Sequence, residues 1–465
     1  SNMSSDFDKF FRPKSVCVIG ASSTPGKPGN TVIQNIRDAG YSGKVFLVNP
    51  RGGKIGGHKV YKNISDLPEG IAQAVVTLPA SQTPEVVCAL GEKGIKAIVL
   101  AASGFAEVDQ MGEALQKDLT VAIKKSGARV LGPNTTGHVS VPASYTSSFF
   151  PLGSVPRGSV SYITQTGNFC GISLLHIMSA ENFGIARSCG LGNKVELDEC
   201  DLLEFFGQDK ESKSIFLYLE SIKNPKRFLR VARRVSKKKP VFLLKGCISE
   251  AGAQAAVAHT GSLSADGRVV DGAIEQAGIT RLTKYSHLFQ VAKALDSQPL
   301  PQGNRVSFLS PSGAFTVCLT DTCRSLGLEV PKLEEKTRKR LQKFAPQFIR
   351  MRNPVDIFGS VGMVGYEKAY GDALDAVLRD RNIDAVVVIM MLTTETGLPS
   401  SKFIVDLKNK FSKKPIYVTF MGDHQHNIDT KKFLETKGVP CYMLVEEPFE
   451  VLALLAECRK KMSIR

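Results

Sequence analysis

The sequence predicts an α/β protein made of three successive units, each built around a parallel sheet. Two observations carry that expectation. First, short runs that are apolar at every position alternate with stretches whose apolar residues recur at helical spacing. A strand buried on both faces reads as a continuous apolar run, and parallel strands joined by right-handed helical crossovers are buried in that way. Second, one pattern of strand, hydroxyl-rich turn, glycine, aromatic and helix occurs twice. It stands at S-V-S-Y-I-T-Q-T-G-N-F (Ser159–Phe169) and at R-V-S-F-L-S-P-S-G-A-F (Arg305–Phe315). The second and third units are therefore read as divergent copies of a flavodoxin-like module.

In the first unit, strands are expected at Ser15–Gly20, Val45–Asn49, Ala74–Leu78, Ala97–Ala101 and Ala128–Leu131, with helices at Thr31–Ala39, Pro84–Lys93 and Met111–Lys125. A Pro/Gly/Ser-rich passage, Pro142 to Gly158, suggests a boundary near residue 150. In the second unit, Ile215–Lys223 reads as a buried strand ending near Glu220, and Val241–Lys245 as another. The linker Q-P-L-P-Q-G (Gln298–Gly303) separates the copies. Strands at Ala385–Met390 and Ile416–Phe420 and a helix near Pro448–Cys458 complete the third. The expected domains are 1–150, 151–300 and 301–465.

Composition narrows the class. The chain has 465 residues, 43% hydrophobic and 22% charged, enough for several cores and unlike a disordered chain. No apolar run approaches the roughly 20 residues needed to span a bilayer, and the start shows no signal-peptide pattern. A cytoplasmic protein is expected. The ten cysteines show neither Cys-x-x-Cys nor zinc spacing, so reduced structural thiols are expected and no metal site. The formal net charge is +16. Its densest stretch, Lys226–Lys239, carries apolar residues on one helical face and lacks aromatic interleaving. It reads as the solvated face of a helix, and neither nucleic acid nor membrane is expected as a partner.

The chemistry is sought where the strands end, because ligands of open α/β sheets bind beyond the carboxyl ends of the strands. The first turn, V-I-G-A-S-S-T-P-G-K-P-G-N-T, lacks the G-x-G-x-x-G fingerprint of dinucleotide folds. Its longer, hydroxyl-rich loop offers backbone amides to phosphate. The candidates there are Gly20, Ser22, Ser23, Thr24, Gly26 and Lys27. Later strand ends add Asn49, Pro50 and Arg51, then Pro79, then Ser103, Gly104 and Phe105, then Pro133 and Asn134. Lys27 and Arg51 suit the phosphates of a large anionic ligand. In the second unit, Thr166, Gly167 and Asn168 form a turn entering a helix. That turn suits a phosphoryl group and, equally, a plain helix cap. Glu220, at a strand's carboxyl edge, is placed either to brace an imidazole or to pair with a nearby lysine. His259, in A-V-A-H-T-G-S-L after a Gly/Ala-rich loop, reads either as a half-buried core histidine or as a nucleophile.

Taken in order, V-I-G-A-S-S-T-P-G-K-P-G, V-N-P, G-P-N, Q-T-G-N, G-N-K-V-E-L-D-E-C-D-L-L-E-F-F, L-Y-L-E-S-I-K and A-H-T-G-S-L resemble the α subunit of ADP-forming acetyl-CoA synthetases. These are nucleoside-diphosphate-forming acyl-CoA synthetases of the succinyl-CoA synthetase superfamily. The resemblance covers nearly the whole chain. It implies a Rossmann-like CoA-binding domain followed by two flavodoxin-like domains. It also implies the reaction acyl-CoA + phosphate + ADP ⇌ carboxylic acid + CoA + ATP, through an acyl phosphate and a phosphohistidine. In that reading His259 is the nucleophile and Glu220 steadies it. Thr166–Asn168 grip the phosphoryl group, and the strand-end loops of the first domain hold CoA. ADP/ATP and Mg²⁺ are expected on a separate ATP-grasp β subunit, with which the chain forms a hetero-oligomer. Two rivals are kept: a non-catalytic CoA-binding scaffold of the same fold, and a nicotinamide-dependent dehydrogenase, which the missing fingerprint disfavours.

Overall fold

The structure is a computed structural model and describes residues 3–260, 267–394 and 401–463. The chain divides into two compact units, Ser1–Ser179 with Gly184–Thr283, and Ala180–Phe183 with Lys284–Arg465. The first unit contains two seven-stranded sheets and the second contains one five-stranded sheet.

The first sheet uses β1 (Ser15–Ile19), β2 (Lys44–Val48), β3 (Lys54–Ile55), β4 (His58–Tyr61), β5 (Gln73–Val76), β6 (Ala97–Leu100) and β7 (Arg129–Leu131), in the order β3-β4-β2-β1-β5-β6-β7. All neighbours are parallel except the short β3–β4 pair at one edge. The reason is visible in β1. Val16 and Val18 pack into the core on one face, and Cys17 and Ile19 into the core on the other. All four are buried, which only a sheet covered on both sides permits. The strand order reverses between β1 and β5, so the turns after them flank the crevice where doubly wound sheets bind ligands. The covering helices include α1 (Met3–Phe11), α2 (Pro28–Asp38), α3 (Thr83–Glu92) and α4 (Gln110–Ser126).

The second sheet holds β8 (His138–Ser140), β9 (Tyr145–Thr146), β10 (Arg157–Thr164), β11 (Ile185–Gly190), β12 (Ser214–Leu219), β13 (Val241–Lys245) and β14 (Thr280–Leu282). In the second unit lie β15 (Val306–Ser310), β16 (Val355–Asp356), β17 (Ala385–Leu392), β18 (Ile416–Gly422) and β19 (Cys441–Tyr442). Numbered from β10 and from β15, both sheets run 2-1-3-4-5. That is the flavodoxin-like order, so the internal repeat is real at the level of topology. The copies diverge after the shared turn. β10 leads into a 3-10 turn at Asn168–Cys170 and then α5 (Ile172–Ser179). β15 leads directly into the helix Gly313–Ser325. Further helices of the middle sheet are α6 (Glu199–Gln208), α7 (Pro225–Ser236) and α8 (Glu250–Thr260). The helix α7 is the basic stretch seen in the sequence. It buries Phe228, Val231, Ala232 and Val235, while Arg227 and Arg234 pair with acidic residues of α6.

Two features differ from the sequence reading. The passage Pro142–Gly158 contains β9, and Tyr145 through Ser148 are buried. β8 pairs antiparallel with β11 and β9 antiparallel with β8, so strands before residue 150 belong to the middle sheet. The helix α1 was also not anticipated, because nine residues are too few for a propensity signal. It is held by packing. Phe7, Phe10 and Phe11 are buried in the core shared with α6, and Phe7 and Phe11 both stack on Phe205, at 5.0 and 5.2 Å.

Beneath α1 lies a buried polar cluster. Arg187 donates to Asp209 at 2.7 Å, both fully buried, and its guanidinium lies over the Phe11 ring. His138 donates from Nε2 to the Phe10 carbonyl at 2.5 Å, and the Ser147 hydroxyl donates to Nδ1 at 2.5 Å. Burial strips the charged ring of water and outweighs the help of the Phe10 carbonyl. With Arg187 adding like charge, the His138 pKa is lowered to about 4. The unfolded chain therefore binds a proton that the folded chain refuses between about pH 6.5 and 4. Stability from this group is full above pH 6.5 and lost as pH falls through that window. Urea titrations should show the wild type losing about 2 kcal/mol more than a His138→Gln variant between pH 7.5 and 5. Equal pH profiles would contradict this account.

Candidate functional site

The sequence-predicted loops gather at the carboxyl edge of the first sheet. Gly20 follows β1 at φ +92°, and its N–H bonds the Val48 carbonyl. Gly29 opens α2 so close to Gly20 that an added Cβ would meet the Gly20 oxygen at 2.0 Å. The turn between them is pinned internally. The Thr24 N–H donates to Ser22 Oγ at 3.0 Å, and Asn30 Nδ2 donates to the Ser22 carbonyl at 3.0 Å. Ser23, Thr24, Gly26 and Lys27 stay exposed at the start of α2. Pro50, Arg51, Pro79 and Ser103 are also exposed at their strand ends. This edge suits a large anionic ligand: positive side chains stand beside a glycine-shaped turn and a helix start.

Two of the residues have other work. Asn49 donates to the Ala21 carbonyl at 2.7 Å and accepts the Arg51 N–H at 2.9 Å, which ties the β2 turn to the β1 turn. Phe105 does not face the edge. Its ring is fully buried in the first core, and its N–H and that of Gly104 donate to Glu107 Oε1 at 3.0 and 2.8 Å.

The last of these loops meets the middle domain. Gly132–Pro133 is a cis peptide bond, and Asn134 adopts φ +60°. Asn134 donates its N–H to the Ala102 carbonyl at 2.9 Å, and its Nδ2 donates to Asn193 Oδ1 at 3.3 Å. The Asn193 N–H donates to the Pro133 carbonyl at 2.9 Å. Gly192 makes the contact possible: at φ +58°, an added Cβ would lie 2.1 Å from the Pro133 oxygen. On the other side, a Cβ on Gly167 would lie 1.9 Å from Thr136 Oγ1. Between these seams is a cavity of about 260 Å³ that brings Asn134 together with Thr166, Gly167 and Asn168. The loops after β1, β2, β5 and β6 do not line it.

In the turn itself, Thr166 Oγ1 accepts the Asn168 N–H at 3.2 Å, and Thr164 Oγ1 donates to the Thr166 carbonyl at 2.9 Å. Gln165 joins the cavity to Glu220. It lines the cavity, and its Oε1 accepts the N–H groups of Glu220 and Ser221 at 2.8 and 2.9 Å. Glu220 is 5% exposed and sits just past β12. Tyr218 Oη donates to its Oε1 at 3.0 Å. Lys245, at the end of the neighbouring β13, donates to the Glu220 carbonyl at 2.7 Å. Burial holds the Lys245 pKa below the ordinary lysine value. Lys223 does not pair with Glu220; it donates to the backbone at Lys194 and Val195. The stretch holding His259 is helical to Thr260 rather than a loop, on α8, the element that follows β13. The His259 side chain lies outside the described residues.

Gln165, Asn193 and Gly192 were missed by the sequence reading. Gly192-Asn193 sits inside the G-N-K motif, noted only for the resemblance it carries, and Gln165 inside Q-T-G-N, which was read as a turn. Among the described residues no cluster of three His, Cys, Asp or Glu side chains is arranged to hold a metal. Nor is any helix among them long and apolar enough to cross a membrane. None of the ten cysteines is joined in a disulfide.

The chain thus joins a doubly wound sheet to two sheets of flavodoxin-like order. Residues 14–140 match the CoA binding domain family, and residues 157–295 match the succinyl-CoA ligase like flavodoxin domain. The chain is 35% identical over 461 residues to the acetate–CoA ligase (ADP-forming) I subunit alpha of Pyrococcus furiosus, covering 97% of this chain and 98% of that protein. It is 34% identical over 458 residues to acetate–CoA ligase (ADP-forming) II of Archaeoglobus fulgidus, covering 98% of this chain and 67% of that protein. A solved structure, the Ca. Korarchaeum cryptofilum dinucleotide forming acetyl-coenzyme A synthetase 1 in complex with phosphate and ADP, is 32% identical. It superposes with a TM-score of 0.90 over 98% of this chain and 97% of that one. The chain belongs to the ADP-forming acetate–CoA ligase family.

The Gly192 seam gives a direct expectation. Gly192→Ala should cost about 1–3 kcal/mol in urea unfolding, because it strains a left-handed backbone and clashes with the Pro133 carbonyl. Gly313→Ala, with nothing within 4 Å of the new methyl, should match the wild type. Equal midpoints for both variants would contradict the seam's role.

Proposed function

We propose that this chain is the phosphohistidine-carrying α subunit of an acyl-CoA ligase that interconverts acyl-CoA, phosphate and ADP with a carboxylic acid, CoA and ATP. The observation that carries the reading is the cavity where the Pro133–Asn134 loop meets the Thr166–Asn168 turn, linked through Gln165 to Glu220. The match of residues 14–140 to a CoA binding domain supports CoA as a substrate of the first domain. Gly20, Ser22, Ser23, Thr24, Gly26 and Lys27 would take its phosphates, with Pro50, Arg51, Pro79, Ser103 and Gly104 along the same edge. Asn49 would act by shaping that edge.

The chemistry runs in three balanced steps. Phosphate attacks the thioester carbonyl, releasing CoA as thiol and leaving an acyl phosphate. The neutral imidazole of His259 attacks the phosphorus; the bond to the acyl oxygen breaks and the carboxylate leaves. The phosphohistidine then passes its phosphoryl group to ADP. A transferring phosphoryl group needs positioning and fixed dipoles more than covalent help, which suits the turn at Thr166, Gly167 and Asn168. Glu220 would accept the other ring N–H and favour the positive charge that develops on the imidazole. The P. furiosus relative is itself named a subunit alpha, which supports a separate ATP-grasp β subunit carrying ADP/ATP and Mg²⁺. A hetero-oligomer in the cytoplasm follows from that reading.

Incubating the chain with acetyl [³²P]phosphate should give an acid-labile, base-stable adduct that maps to His259. His259→Ala should give none, and Glu220→Gln should label about ten- to hundred-fold more slowly, in line with the loss of an orienting hydrogen bond. Equal labelling of the wild type and His259→Ala would overturn the proposal, and the non-catalytic scaffold would then be preferred.

A further inference from the structure

The Glu220–Ser221 loop is fixed along its backbone by three side chains from outside it. Gln165 Oε1 accepts the N–H groups of both residues, at 2.8 and 2.9 Å. Lys245, buried at the end of β13, donates from Nζ to the Glu220 carbonyl at 2.7 Å. Lys194, buried in the segment that follows Gly192 and Asn193, donates from Nζ to the Ser221 carbonyl at 2.8 Å. With the backbone anchored, the carboxylate's own torsions are the freedom still to be set. The terminal torsion of a glutamate is broad and roughly two-fold, so rotamer preference alone does not set it.

Tyr218 sets it. Residues two apart on a strand face the same way, and β12 ends at Leu219, between Tyr218 and Glu220. Tyr218 Oη donates to Glu220 Oε1 at 3.0 Å. A carboxylate is planar, so holding Oε1 also sets where Oε2 lies. The backbone after Lys245 closes on the pair. A Cβ added at Gly246 would lie 3.2 Å from Glu220 Cγ and 3.3 Å from Tyr218 Oη. The phenol and the carboxylate thus meet against a position that carries no side chain.

We infer that Tyr218 is a positioning residue for phosphoryl transfer: by holding Glu220 Oε1, it directs Oε2 to the ring N–H of His259. This rests on the function proposed above. When the imidazole attacks phosphorus and the acyl carboxylate leaves, positive charge develops on the ring, and an ionised carboxylate already in place stabilises it. The phenol keeps its proton throughout and acts only through Glu220. Its bond to an ionised acceptor is of the charge-assisted, stronger kind.

The test measures single-turnover labelling of the full chain over a range of acetyl [³²P]phosphate concentrations, for Tyr218→Phe, Glu220→Ala and the double variant. Tyr218→Phe keeps the ring and removes only the hydroxyl. Its maximal labelling rate should fall about ten-fold, the size of one lost charge-assisted hydrogen bond, while the half-saturating acetyl phosphate concentration stays within about two-fold of wild type. In the Glu220→Ala background the same change should alter the rate by less than about two-fold, because the group it acts through is gone. A Tyr218→Phe rate equal to wild type, an equal slowing in both backgrounds, or an effect confined to the half-saturating concentration would overturn the inference while leaving the phosphohistidine intact. A wild type that acquires no label would overturn the proposed function, and this inference with it.

Discussion

The site depends on the close seating of one backbone turn on another. The Pro133 carbonyl accepts a hydrogen bond from Asn193, and the glycine before it, Gly192, leaves no Cβ in the way. Gly167 against Thr136 repeats the device on the opposite side. A methyl group at either glycine would fall within about 2 Å of an oxygen, far inside van der Waals contact. The loop after β7 and the turn after β10 thus share one cavity because two positions carry no side chain. The seam lies wholly within the first compact unit, together with the strand-end loops and the Thr166–Asn168 turn.

Around this seam the side chains divide into those that shape and those that face a ligand. Asn49, Glu107 and Gln165 bond backbone groups of the neighbouring turns, and Asn193 donates to the side chains of Glu107 and Gln116. Such internal satisfaction is what buried or half-buried amides and carboxylates require, and it fixes the turns before any ligand arrives. Lys27, Arg51 and the loop hydroxyls stay at the surface, where an anion can reach them. The third sheet repeats the topology of the middle one, but its turn enters a helix directly, without the intervening 3-10 segment. The shared turn is therefore part of the fold's architecture, and the cavity beside the middle copy comes from its meeting with Asn134 and Thr136.

Much of this was legible in the sequence. Continuous apolar runs marked β1, β5, β6, β12, β13 and β17 within a residue or two, because strands buried on both faces admit no polar position. The candidate loops fell at strand ends because glycine and proline mark those places. What was hidden depended on distant partners. The helix α1 exists through its phenylalanines' contacts with α6. β9 lay hidden in the Pro/Gly/Ser-rich passage Pro142–Gly158, yet Ser147 and Ser148, just after it, bond His138 and the Cys170 carbonyl inside the core. Phe105 stood in a glycine turn and looked accessible, but its ring had a core to enter. No local spacing could show that Gln165 would reach Glu220, since the two are joined only by the pairing of β10 with β12.

The central claim is that the cavity between Asn134 and the Thr166–Asn168 turn is where the acyl, thiol and phosphoryl groups meet. Its most direct test is a crystal structure of the chain soaked with CoA and inorganic phosphate. The account predicts the phosphate at the Thr166–Asn168 turn, with the CoA thiol entering the same cavity past Asn134. A CoA whose thiol ends elsewhere, or a phosphate bound away from that turn, would contradict it.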